Sequence, residues 1–385
     1  MPPSRAQARL AEFLETAERL KNERATAGNV LETLEATPPA EWPTLAARPE
    51  FQTNAALERL GEEVRRRLDR NPREALALAE LATTIADALP ATAYPAVTLA
   101  QIRAMAWKDR ANALRFGGRY DDAFEAIARA EQYLEKHVAL GLDRAIVQLV
   151  RAFTLIDVGE FQQARALAMT CSSVFLAHGD VTRALQAGEI EGHVLYEEKR
   201  YADASTLFMS LLEVARAAED IEALARLHNN AGYCAMQLND FRAANVHFSE
   251  AVAKLTDRGE FVAATRTQWG AGLVLLGRGQ FEQAMQHLHA ARESFTRFEM
   301  IEEAALCGLS IAENLLSRGA VTDAHTIVSE IAQEFRAASL ERRVIEAITT
   351  LENETARNDA TVDNVRHVYT IIETAQRQSV TARPF

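Results

Sequence analysis

The chain has 385 residues, 48% of them hydrophobic but only 7% aromatic, and just 17 glycines and 10 prolines. Such a composition, rich in alanine and poor in helix breakers, is that of close-packed helices. Its 42 basic residues stand against 54 acidic ones, a formal net charge of −12, which argues against nucleic acid as a ligand and slightly favours a basic partner. No apolar run approaches the roughly 20 residues of a membrane span, and Met1-Pro2-Pro3-Ser4-Arg5 leads into a charged helix pattern rather than a signal core. Cys171, Cys234 and Cys307 lack paired CxxC spacing and fall within helical patterns, which fits buried free thiols in a cytoplasmic protein.

Residues 1–52 are expected to form an amino-terminal helical cap. Leu10, Phe13, Leu14, Ala17 and Leu20 make one helical stripe over 5–24, and a second helix covers about 26–36. Pro38, Pro39, Pro43 and Pro49 then break the helical pattern. The alternative is a separate docking element. Two helices and a proline-rich connection are too little for a helix-turn-helix. Residues 53–89 read as a degenerate helix pair, with Pro72 suited to a first helical turn.

Six clear pairs come next, and three columns hold them in register. Tyr120, Phe161, Tyr201, Phe241, Phe281 and Val321 recur at spacings of 41, 40, 40, 40 and 40. Three residues after each comes Ala123, Ala164, Ala204, Ala244, Ala284 or Ala324, and nine before each comes Ala111, Ala152, Gly192, Gly232, Gly272 or Ala312. A fixed period of this kind marks units that bury their cores only against neighbours. Turns are expected at Gly117-Gly118, Gly159, Lys199-Arg200, Asn239-Asp240, Gly279 and Gly319, with Asp121, Asp180 and Asp220 placed as amino-terminal caps. The small column lets the second helix cross closely, and the aromatic column is read as a set of packing wedges. The predicted array spans 53–337. Helices at about 340–356 and 361–378 form a carboxy-terminal cap within 338–378, and 379–385 is expected to fray.

These residues resemble the tetratricopeptide repeat: a small residue midway in the first helix, a glycine turn, an aromatic, then alanines in the second helix. Trp107, Ala111, Leu114, Gly118, Tyr120, Ala123, Ile127 and Ala130 carry the pattern best, with Gly232, Asn239, Phe241, Ala244, Phe248 and Ala251 next. The period departs from the family's usual length of about 34 residues, and six extra residues add close to one turn to each helix. Long-helix arrays of this kind resemble bacterial regulator or sensor solenoids and kinesin-light-chain-like cargo binders. The resemblance implies an all-α, right-handed α-solenoid of antiparallel helix pairs, with first helices lining a concave groove.

On that implied groove lie Arg226, Asn229, Asn230 and Tyr233 of the fourth pair, Arg266 and Trp269 of the fifth, His193 and Tyr196 of the third, and Lys108, Asn112 and Arg115 of the first. Asparagines can bond an extended peptide backbone whatever its sequence, arginines can fork a carboxylate, and aromatics offer flat anchors. The opposing expectation is that the asparagines solvate the face and Trp269 packs between repeats. Lys108 and Asn112 also resemble the opening of a chaperone-type carboxylate clamp, which Leu149, Val150, Phe153, Ile156 and Ile190 leave incomplete.

Catalytic and metal motifs are missing. His287 and His289 point to different faces of a helix, there is no HExxH, and Gly272 to Gly279 lacks the Lys-Ser/Thr of a phosphate loop. The sequence thus reads as a non-enzymatic scaffold without cofactors that binds a protein or peptide, neither nucleic acid nor membrane, with self-association possible. A sensor that changes shape on binding a short peptide or small ligand is the alternative.

Overall fold

A computed structural model describes residues 5–68, 71–298, 300–337 and 342–379. They form eighteen α-helices and three short 3-10 segments, with no strand among the described residues. The α-helices are α1 (Arg5–Thr26), α2 (Gly28–Glu35), α3 (Asn54–Arg67), α4 (Pro72–Ala88), α5 (Ala96–Phe116), α6 (Tyr120–Leu134), α7 (Gly141–Asp157), α8 (Phe161–Ala177) and α9 (Val181–Glu197). They continue with α10 (Tyr201–Ala217), α11 (Ile221–Gln237), α12 (Phe241–Asp257), α13 (Phe261–Gly277), α14 (Phe281–Arg297), α15 (Ile301–Ser317), α16 (Val321–Ala337), α17 (Arg342–Ala356) and α18 (Val362–Ser379). Within each of two units consecutive helices pack as antiparallel pairs, a tetratricopeptide-like helical fold. The chain divides into two compact units, Met1–Ile190 and Glu191–Phe385.

From α8 to α16 every helix has 17 residues and starts at 161, 181, 201 and so on to 321. The sequence columns expose a forty-residue period, but the joint repeats every twenty. Val181, Ile221, Phe261 and Ile301 open the first helices as the aromatic column opens the second.

Among the described residues the joint is a left-handed residue whose successor's N–H reaches a carbonyl five residues back. Arg200 N–H donates to Leu195 O, Asp240 to Ala235 and Gln280 to Leu275, all at 2.9 Å. Gly159 and Gly279 hold the left-handed position at φ 81° and 70°, but Lys199 (60°), Glu219 (53°) and Asn239 (58°) hold it elsewhere. Asp180 and Asp220 cap as expected, accepting from the amides of Arg183 at 3.1 Å and Ala223 at 2.9 Å. Asp121 does not: Arg119 is the N-cap residue, and Asp121 only adds negative charge to the first turn of α6.

The first unit is built on three clusters. Val30, Leu34, Trp42, Leu45 and Phe51 are buried against α3 and α4, and Trp42 Nε1 donates to Thr37 O at 2.9 Å. Further along, Ala111 packs with Ile127, and Ala152 with Ala168. In α1, Leu14 is exposed and Leu20 half-buried, while the side chains of Leu10 and Phe13 lie outside the described ones. Leu20 packs against the first core cluster, and polar contacts tie the helix down as well. Arg24 forks Glu58 at 2.8 Å twice, and Glu23 accepts from Tyr94 Oη at 2.8 Å.

In the second unit the small column explains the close crossings. A Cβ placed on Gly192 would stand 2.3 Å from Phe208, on Gly232 2.8 Å from Phe248, and on Gly272 2.7 Å from Leu288. Where the first helix carries alanine, as at Ala312, the partner sixteen residues on is the smaller Val328. The two columns therefore trade volume, as dense packing requires.

The aromatic column is a correction in part. Phe241 does lie over the next pair, 2.7 Å from a Cβ on Gly277, and Arg318 stacks over Phe281 at 4.7 Å. Yet Tyr201, Phe241 and Phe281 are only half-buried. The deep wedges are Phe208, Phe248, Phe295 and Phe335, each at most 1% exposed. The expected fraying within 380–385 lies outside the described residues.

Candidate functional site

The first helices of the second unit carry eight of the residues expected on the groove, on three of those helices, α9, α11 and α13. On α9, His193 meets Phe208 edge-on at 6.2 Å, and Tyr196 Oη accepts from Gln237 Nε2 at 3.1 Å. On α11, Tyr233 stands edge-on to Phe248 at 5.1 Å, and its hydroxyl lies 3.2 Å from where a Cβ on Gly270 would be. Burial, then the neighbouring Tyr196, pushes the Tyr233 phenol above its ordinary value, while Arg266 opposes them. The hydroxyl is thus a neutral donor near neutral pH.

Asn229 faces sideways rather than outward: its Oδ1 accepts from Thr267 Oγ1 at 3.2 Å, tying α11 to α13. The two arginines are already paired, Arg226 with Glu222 at 2.8 Å and Arg266 with Glu303 on α15 at 3.1 Å. Trp269 stands edge-on to Phe295 at 6.2 Å and packs with Leu273 and Leu276, so it fills the space between repeats. Its indole N–H is buried without an acceptor among the described residues. That leaves Asn230 and the Tyr233 hydroxyl, one turn apart on α11, with no hydrogen bond among the described residues.

The three residues of the first unit are engaged internally. Lys108 Nζ pairs with Asp109, a carboxylate that also takes Arg65 at 3.5 Å. Arg115 donates to Asn112 Oδ1 at 3.1 Å and to Asp157 at 2.9 Å, with its guanidinium over Phe116 at 4.5 Å. Burial raises the Asp157 carboxyl above its ordinary value, and Arg115 pulls the other way.

Sequence reading missed a histidine pair. His228 on α11 is buried, and its Nδ1 lies 3.0 Å from Nδ1 of His247 on α12. Burial first, then His247, pushes the His228 imidazole down to about 4, and burial lowers His247 also. The signal was present, since Gly232 meets Phe248 and the two histidines lie just before those positions. No group of three or more metal-ligating side chains converges among the described residues, and none of their helices is long and apolar enough to cross a membrane. The cysteines are free and buried, which pushes their thiols up to about 11, 11 and 12.

The second unit, which carries this face, is also where the chain is similar to a known family. The family model described as "Soluble NSF attachment protein, SNAP" matches residues 192–346, under half of the chain. No curated protein matches it. Among solved structures, a Rap protein complexed with competence and sporulation factor is 16% identical, with a TM-score of 0.55 over 92% of this chain and 99% of that one. Aspartyl phosphate phosphatase F from Bacillus subtilis is 13% identical, with a TM-score of 0.52 over 87% of this chain and 85% of that one. A signal transduction ATPase with a tetratricopeptide repeat sensor, from Pyrococcus horikoshii, is 11% identical, with a TM-score of 0.57 over 93% of this chain and 54% of that one. At such identities the likeness concerns the fold, an array of tetratricopeptide-like helix pairs.

Proposed function

We propose that this chain is a non-enzymatic interaction scaffold that binds an extended peptide or protein segment on the first-helix face of its second unit. One observation carries the reading: Asn230 and the Tyr233 hydroxyl are unspent polar groups on a face whose arginines are already paired. An amide that both donates and accepts, beside a neutral phenol donor, suits a peptide main chain better than a carboxylate. Arg226 and Arg266, held by glutamates, set the rim of that site and are available to a partner only by exchange of ion pairs. His193 and Tyr196 continue the same face on α9, while Asn229 and Trp269 support it from below.

The Rap protein of similar fold is complexed with competence and sporulation factor, and the Pyrococcus horikoshii protein carries a repeat sensor, which supports ligand capture by such arrays. We further take residues 1–52 and 338–378 as end caps. Trp42 and Phe51 cover α3 and α4 in the first unit, and Val344, Ile348 and Leu351 join the last core cluster in the second. Buried reduced thiols suit a cytoplasmic setting. The test is capture of partners from a lysate of the source cells by the full chain and by Asn230→Ala with Tyr233→Phe. Loss of the captured set supports the face, whereas an unchanged set places binding elsewhere. Small-angle scattering with and without a captured peptide then separates a rigid scaffold from a sensor.

A further inference from the structure

The last helices of the second unit depart from the order of the repeats before them. Up to α15, each first helix has the next first helix at its side, as the Asn229–Thr267 and Arg266–Glu303 contacts show. After α16 the helix that packs on it is α17, but the helix that stands along α15 is α18. Its stripe of Val365, Val368 and Ile372, at most 3% exposed, shares a core cluster with Leu306 and Leu309 of α15. An ion pair joins the two helices, Arg366 with Glu313 at 2.7 Å, the arginine side chain being exposed.

The preceding helix has its own anchorage. His325 Nδ1 of α16 lies 2.9 Å from Thr355 Oγ1 of α17, and Arg336 donates to Glu352 at 2.6 Å. Only residues 357–361 connect α17 to α18, and the chain reverses there through Asn358, left-handed at φ 62°. A terminal helix on a short joint can thus leave α15 while α17 stays on α16. The seat it leaves would expose Leu306 and Leu309 as an apolar strip, which favours recapture of a matching helix.

We propose that this seat is an interface between two copies of the chain, which form a dimer by exchanging α18. The α18 of one copy fills the seat on the partner's α15, and the partner's α18 fills the first. An identical helix repeats the contacts of the closed chain, so exchange costs the joint at Asn358 and the association itself. The seat selects that helix by its pattern, with apolar residues at i, i+3 and i+7 and an arginine at i+1 to meet Glu313. Mutual exchange is symmetric, so the assembly closes at two copies and does not extend. Its population rises with protein concentration.

The experiment mixes two full-length variants, Glu313→Arg and Arg366→Glu. Alone, each sets like charges together at the seat, whether the α18 there is its own or a copy's. Only in an exchanged heterodimer does an arginine meet a glutamate at both seats. The variants are combined natively and also refolded together from urea, so that slow exchange cannot hide the outcome. Sedimentation velocity reads the mass, hydrogen–deuterium exchange reads the α18 amides, and circular dichroism checks that both variants fold. The expected result is a heterodimer that associates at least about tenfold more tightly than either variant alone and weakens with salt. Its α18 amides should be protected as in the wild type, which should itself gain mass as its concentration rises. A wild type or a mixture that stays monomeric up to the highest soluble concentration would overturn the proposal. Equal dimerisation of the mixture and of each variant alone would place the interface elsewhere and overturn it as well.

Discussion

Replacing Gly232 by alanine tests the packing rule on which the second unit rests. The new methyl would stand 2.8, 2.9 and 3.0 Å from Cε1, Cδ1 and Cζ of Phe248, a ring that is 0% exposed and has Tyr233 edge-on at 5.1 Å. Ordinary carbon contacts are about 3.5–4.0 Å, so the ring or the helix must shift by more than about half an ångström. Overpacking of this size costs about 1–3 kcal/mol. Against it stands a gain of about 1 kcal/mol, because alanine is the better helix former. The expected net loss is up to about 2 kcal/mol, read from urea denaturation followed by circular dichroism. Gly192→Ala should lose more, its Cβ being 2.3 Å from Phe208. Phe248→Val alone should cost somewhat less than the roughly 3–5 kcal/mol of a phenylalanine truncated to alanine. The double variant reproduces the Ala312–Val328 pair of the sixth repeat, and a favourable coupling of about 1–3 kcal/mol is expected. The reasoning fails if Gly232→Ala stabilises the protein, or if the two changes simply add.

The joints offer a gain instead. Lys199→Gly and Glu219→Gly should each stabilise by roughly 0.5–1 kcal/mol, because the left-handed conformation costs a side-chain-bearing residue about 1–2 kcal/mol and glycine returns part of that through its freer unfolded chain; unchanged urea midpoints would refute it. The histidine pair should make stability depend on acidity: folding holds His228 near 4 against 6.5 in the unfolded chain, so the fold binds fewer protons. Its contribution is complete above pH 6.5 and is lost as pH falls towards 4, a slope that His228→Gln should flatten in melts across that range. Cys171, Cys234 and Cys307, buried with raised pKa values, should stay silent to an aromatic disulfide reagent at pH 8 and react together on adding denaturant. Rapid native labelling of any one of them would contradict its burial.

The helix pairs were legible because each column has a steric reason. The 0% exposure of Ala204, Ala244 and Ala284 is what a recurring alanine means in a crossing helix. The deep phenylalanines were harder to read because they alternate between two positions. Phe208 and Phe248 stand seven residues into their helices, whereas Phe295 and Phe335 stand fourteen in, with Leu288 and Val328 at the earlier place. A column that trades volume with its neighbour does not look like a column. At the candidate face, helical spacing picked out Asn230 and Tyr233 but could not tell them from Asn229, whose partner Thr267 lies 38 residues on. The Arg266–Glu303 pair, across 37 residues, was hidden for the same reason. Contacts between successive repeats combine residue types that need not recur, so periodicity does not announce them.

The uniform joint has an evolutionary and engineering meaning. Residues 221–260 are α11, α12 and their two joints, and excision would join Asp220 to Phe261, an acidic residue before an apolar helix start as at Glu260–Phe261. Excision of that stretch would set Tyr201 over Gly277 in place of Phe241, an aromatic against a glycine once more. Duplication would do the reverse. Forty residues are therefore a natural unit of recombination in this chain, and the number of pairs is a heritable variable that can change while the aromatic–glycine contact at the joint is kept.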